Sequence, residues 1–345
     1  VSDNLGRLRS VAIGSLFGML GYVGLIFAPT WQWALVGEGL GAVTRSLIAP
    51  SYLAFIAEAS LESNRARVYG LTETLFMIVA VVGPPLGGFL ADSYGFRVML
   101  LSSFGLYTLA TIVRIWMART ASRDIESQPS KLTLPGLRKD LGIMLGLMVA
   151  GGIFTWILIS DGIRDITWTL SFNLMPLYLE EIGGLSLQQI GWLQGLFGLF
   201  MMLLTIPSGW LSDKKGERYS IVSGFLFQAL AFFVFVRVAS LTGFYAAAAL
   251  LGIGFGLMIP AFDSLTSKVV PEKQRGTAFG LLSTSLGIVS LPAPAIGAQL
   301  WERFNPQLPF RLTAWLSLLA VIPVWLKFKS PPAENSKQVS GALNT

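Results

Sequence analysis

The second half of this sequence repeats the first half at a constant offset of 210 residues. Near the middle of the chain, Gly209 to Arg218 forms a short basic segment with one Asp and two Gly, and residues 1–9 form a clipped copy of it. Identical residues pair at this offset along the chain: Asp3 with Asp213, Gly6 with Gly216, Pro50 with Pro260, Arg65 with Arg275, Gly70 with Gly280, Pro84 with Pro294 and Gly87 with Gly297. Because all these pairs hold at one offset (the register) without gaps, we predict that the two halves of the chain are structurally related.

Ten apolar segments are long enough to cross a bilayer as helices, which takes about 20 residues. They are 10–29, 32–57, 68–91, 97–117, 150–179, 187–210, 219–238, 241–264, 276–300 and 308–327. The first four, shifted by 210 residues, coincide with the last four, whereas the two middle segments have no partner. We therefore expect an all-α integral membrane protein of two parallel six-helix repeats, with the first two helices of the N-terminal half missing from this chain.

The composition supports a bilayer as the solvent and excludes several classes of function. Charged residues make up 13% of the chain, against roughly 25% in soluble domains. The chain has neither Cys nor His, so it lacks thiols, the usual metal ligands and the usual proton carrier at neutral pH. We expect no metal, no cofactor and no enzyme activity, and any proton must be handled by Asp or Glu. The net charge of +6 lies in short loops and does not indicate nucleic-acid binding.

The distribution of Lys and Arg predicts the orientation. With residue 1 in the cytoplasm, eighteen of the twenty-five basic residues fall on the inner side and four at the outer ends. We expect a multi-pass protein of the plasma (inner) membrane, monomeric, with both ends of this chain cytoplasmic. The predicted parts are an N-terminal transmembrane half at 1–117, a cytoplasmic linker with a possible interfacial segment at 118–149, a C-terminal transmembrane half at 150–329 and a disordered tail at 330–345.

The loop Gly-Trp-Leu-Ser-Asp-Lys-Lys-Gly-Glu-Arg at 209–218, its copy and the motif Gly83-Pro-Pro-Leu-Gly-Gly88 resemble the major facilitator superfamily over essentially the whole chain. The resemblance implies a secondary transporter that moves a small molecule by alternating access. Gly83, Pro84, Gly87 and Gly88 look like the fifth-helix motif of drug–proton antiporters and are predicted to bend the helix. A second antiporter motif has Arg before Gly-x-Gly in the fourth helix. Here Gly39-Leu-Gly41 is present, but Leu35 stands at the Arg position.

Three charged residues within one apolar segment carry the most informative chemistry. Asp161, Arg164 and Asp165 have the spacing of one helix face, which Trp168 and Phe172 continue. Each charge at bilayer depth costs at least about 2.5–3.5 kcal/mol, so a lipid-facing position is unfavourable. We predict that they line a cavity and that Asp161 or Asp165 carries a proton while Arg164 holds the ionised carboxylate. The alternative is a structural ion pair near the inner end of the helix.

Other candidate residues lie on both halves. Glu38 and Arg45 share a helix face, but they are two turns apart, roughly 10 Å. We expect this distance to prevent direct pairing, so that each faces a cavity or another helix. Asn173 is a candidate substrate contact. The two loops are predicted to latch the cytoplasmic side when it closes, and the candidate gating residues are Asp3, Gly6, Arg7, Gly209, Asp213, Gly216 and Arg218.

These features favour a secondary transporter over a membrane enzyme or a non-transporting sensor. The chain has no Gly-x-x-x-x-Gly-Lys-[Ser/Thr] motif for ATP. Within transporters, proton-coupled export of amphipathic compounds is favoured by the Gly83–Gly88 motif. Proton-coupled uptake of a charged metabolite remains the alternative, because Asp161, Arg164 and Asp165 could bind one.

Overall fold

The repeat seen in the sequence recurs in the helices of the computed structural model, which describes residues 6–60, 65–120, 152–269, 287 and 289–328. Eleven α-helices and one 3₁₀ turn lie in these ranges. The first unit, 1–132, contains α1 (Arg7–Ile26), α2 (Trp31–Ala59), α3 (Arg65–Tyr94) and α4 (Phe96–Thr120). The second unit, 133–345, contains α5 (Ile153–Ser171), α6 (Met175–Glu181), α7 (Leu187–Lys215), α8 (Glu217–Phe235), α9 (Leu241–Val269), α10 (Ala293–Arg303) and α11 (Leu308–Lys327).

The helix bounds follow the 210-residue register closely. Helix α2 shifted by 210 residues has the bounds of α9, and α1 shifted in the same way has those of α8 to within one residue. Eight of the described helices are long and apolar enough to cross a membrane: α1 to α4, α7 to α9 and α11. The all-α architecture and the long apolar helices therefore agree with the sequence-based expectation.

Corresponding glycines also bring corresponding helices together. A Cβ atom on Gly224 of α8 would lie 2.7 Å from the Cβ atom of Met258 on α9. At the equivalent place in the first unit, a Cβ atom on Gly14 of α1 would lie 3.0 Å from a side-chain atom of Ile48 on α2. The register pairs Gly14 with Gly224 and Ile48 with Met258, so α1 packs on α2 in the way that α8 packs on α9. Small residues permit this close approach.

The predicted span 150–179 is interrupted in the structure. Helix α5 ends at Ser171, a 3₁₀ turn covers Phe172–Leu174, and α6 continues from Met175. Pro176 has no N–H group to bond to the carbonyl of Phe172, so a continuous helix would lose that hydrogen bond. The difference from the prediction thus has a local cause in the sequence.

Two loop glycines have a backbone conformation that other residues rarely adopt. Gly6 has φ 87° and ψ 148°, and Gly216 has φ 93° and ψ 153°. Each loop therefore has glycine at a position where other residues would be strained. Asp3, most of the linker, the residues 141–151, most of the span 276–300 and the tail lie outside the described residues.

Replacing Gly216 with alanine is expected to destabilise the protein by about 1–3 kcal/mol, because this region of φ and ψ is open almost only to glycine. Gly209 is the matched control. It lies inside α7 with no atom within 4 Å of an added Cβ, so Gly209→Ala is expected to be neutral or slightly stabilising. The thermal unfolding midpoints of the purified variants measure the difference. Equal midpoints for the two variants would contradict the strain argument.

Candidate functional site

The charged face predicted on α5 is partly buried within the second unit. Asp161 is 8% exposed, and its Oδ1 lies 2.9 Å from a guanidinium nitrogen of Arg164. The guanidinium also lies over the ring of Phe262 on α9, 5.6 Å from its centroid. Asp263, the next residue on α9, interacts electrostatically with both members of the pair. Asp165 is partly buried one residue beyond Arg164. The structure therefore places two carboxylates, Asp161 and Asp263, in electrostatic interaction with one guanidinium, and a third, Asp165, in interaction with Asp161.

A layer of buried polar groups continues from this ion pair across three helices. Thr167 of α5 donates to the Arg164 carbonyl oxygen at 2.7 Å, and its hydroxyl accepts from the Gln228 side-chain amide at 3.3 Å. Thr313 of α11 donates to the Thr167 carbonyl oxygen at 3.3 Å. Within the described part of the chain, Gln228 Oε1 and the Ser160 hydroxyl are buried without a hydrogen-bond partner. The layer thus keeps unused hydrogen-bonding capacity, and sequence reasoning missed it because Thr and Gln are unremarkable in an apolar helix.

Aromatic side chains extend the face away from the ion pair, as predicted. Trp168 stacks on Phe172 with the ring centroids 3.5 Å apart. Phe197 of α7 and Phe255 of α9 close around Trp168, with centroids at 6.0 and 4.6 Å. The site in this unit is therefore an ion pair beside an aromatic wall, an arrangement that can hold a molecule with a polar end and an apolar body.

Asn173, the predicted substrate contact, lies exposed in the 3₁₀ turn. No hydrogen bond or ion pair is seen for it among the described contacts. Its predicted role stays a prediction.

The expectation that Glu38 and Arg45 are too far apart to pair is wrong. Within the first unit, Arg45 Nη2 lies 3.8 Å from Glu38 Oε2, and both side chains are about two-thirds exposed. Two helical turns separate the backbones of Glu38 and Arg45, but their long side chains extend towards each other and bridge this distance. The guanidinium lies alongside Gly41, where an added Cβ atom would be in ordinary van der Waals contact with Arg45 Nη1 at 3.5 Å. The pair is weak because it is long and exposed.

The structure corrects the loop predicted at 209–218: α7 runs to Lys215 and α8 begins at Glu217, so that Gly216 alone lies between the two helices. The start of α8 is anchored by a residue that sequence reasoning missed. Glu217 is 5% exposed, and its Oε1 accepts from Lys268 Nζ at 2.5 Å and from Ser264 Oγ at 2.9 Å, both on α9. The Arg218 guanidinium lies 4.2 Å from the ring centroid of Trp325 on α11. Asp213 is exposed. Glu217 and Arg218 thus fix the segment 209–218 to α9 and α11, while the side chain of Asp213 stays exposed.

Arg7, which the register pairs with Glu217, begins α1 in the first unit and is partly buried. The motif residues Gly83 and Pro84 lie inside α3, which continues unbroken to Tyr94. Gly87 and Gly88 follow one turn later in the same helix. The predicted bend there stays a prediction.

Two units of long apolar helices related by a repeat, one of them holding a buried ion pair, define a polytopic membrane transporter. The family model described as Major Facilitator Superfamily matches residues 1–163 and again residues 157–343. The chain therefore belongs to the Major Facilitator Superfamily, whose members are transporters rather than enzymes. This confirms the family and the fold that the loop motif and the repeat predict.

Two relatives and one solved structure show the range of this similarity. The chain is 26% identical to a multi-drug resistance efflux pump PmrA homolog of Lactococcus lactis, covering 85% of this chain and 71% of the relative. It is 25% identical to a Na(+), Li(+), K(+)/H(+) antiporter of Planococcus maritimus, covering 88% and 77%. A crystal structure of a variant of the peptide transporter POT with alafosfalin matches 93% of this chain and 79% of that chain, with a TM-score of 0.75 and 15% identity. That likeness shows the fold.

Proposed function

We propose that this protein is a secondary active transporter that exports amphipathic compounds from the cell in exchange for protons. The observation that carries the proposal is the buried Asp161–Arg164 pair, which has Trp168 one turn further along the same helix and Phe172 in the 3₁₀ turn that follows. A carboxylate that gains and loses a proton beside a fixed cation can couple proton movement to transport. The adjacent rings supply an apolar surface for the body of a substrate.

The relatives support the direction and the coupling. One of them is described as an efflux pump and another as an antiporter that exchanges cations for protons. Because the chain has no His, a proton carried by a side chain within the spans has to be carried by Asp or Glu. Asp165 next to Arg164 offers the second carboxylate to which the guanidinium could transfer its ion pair.

The loops 1–9 and 209–218 are proposed as the cytoplasmic gate, in a plasma membrane protein with both ends of this chain inside. In the second unit, Glu217 and Arg218 fix the loop to α9 and α11, which leaves the exposed Asp213 free to engage a partner when the gate closes. Glu38 and Arg45 are proposed to meet the transport path from the first unit, since both are exposed there.

The export proposal is tested in everted membrane vesicles that contain the protein, with ethidium as the amphipathic cation. Acidifying the vesicle interior is expected to drive ethidium inward, which corresponds to export from the cell, and an uncoupler is expected to stop it. Vesicles without the protein are the control. Ethidium movement that runs with the proton gradient rather than against it would indicate uptake of the kind that a charged metabolite requires. No gradient-driven movement of any amphipathic dye would favour a non-transporting sensor.

A further inference from the structure

A cluster of cationic and aromatic side chains lies at one end of the second unit, outside the candidate transport site. The Arg218 guanidinium, near the start of α8, lies 4.2 Å from the ring centroid of Trp325 on α11 and 5.2 Å from that of Tyr219. The two rings pack edge to face with their centroids 5.6 Å apart. At the last residue of α11, Lys327 Nζ lies 5.0 Å from the ring centroid of Trp156 on α5. Two cations are therefore held against indole rings at the same end of α11.

Both cations keep charge and hydrogen-bond donors for a further group. Neither Arg218 nor Lys327 is paired with a carboxylate within the part of the chain that the structure describes. Arg218 donates to the Trp325 carbonyl oxygen at 3.3 Å and to the Tyr219 hydroxyl at 3.5 Å. These bonds use two of the five N–H donors that a guanidinium has. Lys327 is exposed. The cluster is therefore a site of unneutralised positive charge.

An exposed apolar stripe leads from this cluster along α11. Four side chains form it, and each is more than half exposed: Trp315, Leu319, Ile322 and Leu326. Their spacing places them on one face of a helix that is apolar enough to cross a membrane. At 3.6 residues per turn, Trp325 lies to one side of this face and Lys327 to the other. The two cations thus flank the end of a surface suited to contact with lipid chains.

An anionic phospholipid matches both the cluster and the stripe. Its phosphate can accept paired hydrogen bonds from a guanidinium, and its acyl chains can cover apolar side chains. We propose that the end of α11, together with the start of α8, binds an anionic phospholipid whose headgroup lies between Arg218 and Lys327 and whose chains cover the apolar stripe. A zwitterionic headgroup brings its own cation, which the two basic residues repel, so the site selects net negative charge. Binding of this lipid does not depend on the proposed export function.

The test is native mass spectrometry of the purified protein titrated with phosphatidylglycerol, and with phosphatidylcholine of the same acyl chains for comparison. We expect preferential retention of phosphatidylglycerol. Arg218→Gln and Lys327→Gln are each expected to weaken this retention about fivefold, which is about 1 kcal/mol, the contribution of one basic residue near an anionic membrane surface. Lys214→Gln is the matched control, because Lys214 is exposed at the same end of α7 and contacts no ring among the described residues. It is expected to leave retention unchanged.

A purely structural role for Arg218 predicts a different result. Its bond to the Trp325 carbonyl oxygen caps the last turn of α11. If Arg218 only caps the helix, Arg218→Gln lowers the thermal unfolding midpoint and leaves lipid retention unchanged, which would overturn the proposal. Equal retention of the two lipids by the unmodified protein, or equal effects of Lys214→Gln and Arg218→Gln, would also overturn it. Lys327→Gln breaks no described hydrogen bond, so it decides the question if Arg218→Gln fails to fold.

Discussion

Arg164→Met is expected to abolish transport and to destabilise the protein by about 3–5 kcal/mol, because it leaves the buried Asp161 carboxylate without its cation. The ion pair is 2.9 Å long, and the two side chains are 20% and 12% exposed. Asp263 interacts electrostatically with the same guanidinium but is itself exposed, so the cost arises mainly at Asp161. Thermal unfolding of the purified protein and ethidium transport in vesicles measure the two effects.

Two further variants separate stability from function. Arg164→Met combined with Asp161→Asn removes both charges and is expected to recover most of the stability, but not transport. Arg45→Met breaks the exposed 3.8 Å pair with Glu38 and is expected to change stability by no more than about 1 kcal/mol. If Arg164→Met were as stable as Arg45→Met, the pair on α5 would not be the electrostatic centre that its burial implies.

Much of the fold could be predicted because the repeat constrains it. Matching identical residues at an offset of 210 pairs Gly14 with Gly224, and the structure shows that both seat their helix against the next one. The positive φ of Gly6 and Gly216 follows from the same register. Apolar length then sets the helices, since a span of about 20 residues must satisfy its own backbone groups in a bilayer.

Matching identical residues at the offset of 210 misses positions where the two halves of the sequence differ. Glu217 corresponds in the register to Arg7, so a search for identical residues passes over it. In the structure Glu217 is buried and joins α8 to Lys268 on α9. Such a contact depends on which side chains of two helices face each other, and a single sequence read by itself does not show this.

Two further differences between the sequence-based expectation and the structure arise from the length of side chains and from residues of separate helices that meet in the fold. The backbone separation of Glu38 and Arg45 was a poor guide, because two long side chains can extend towards each other along the helix. The aromatic wall is assembled from three helices, with Trp168 on α5, Phe197 on α7 and Phe255 on α9. Each of these aromatic residues reads as ordinary packing until the fold brings them together.

The proton-carrying role of the α5 carboxylates is tested by removing their charges one at a time. Asp161→Asn and Asp165→Asn are each expected to reduce gradient-driven ethidium transport to the rate of vesicles without the protein. The reason is that Arg164 binds Asp161 directly and has Asp165 as its neighbour on the same helix, so that proton exchange at one carboxylate requires the other to take over the cation. Exchange of ethidium for ethidium, which needs no net proton movement, is expected to persist in both variants.

Glu38→Gln at equal expression is the matched control, because Glu38 is exposed and its pair with Arg45 is long. It is expected to keep gradient-driven transport. If Glu38→Gln alone lost it and both aspartate variants kept it, the coupling site would belong to the unit 1–132. If all three variants kept it, the carboxylates would be structural, and the ion pair on α5 would serve only to hold the helix in place. Loss of ethidium exchange together with proton coupling would instead place the aspartates in substrate binding, where the guanidinium and the aromatic wall meet.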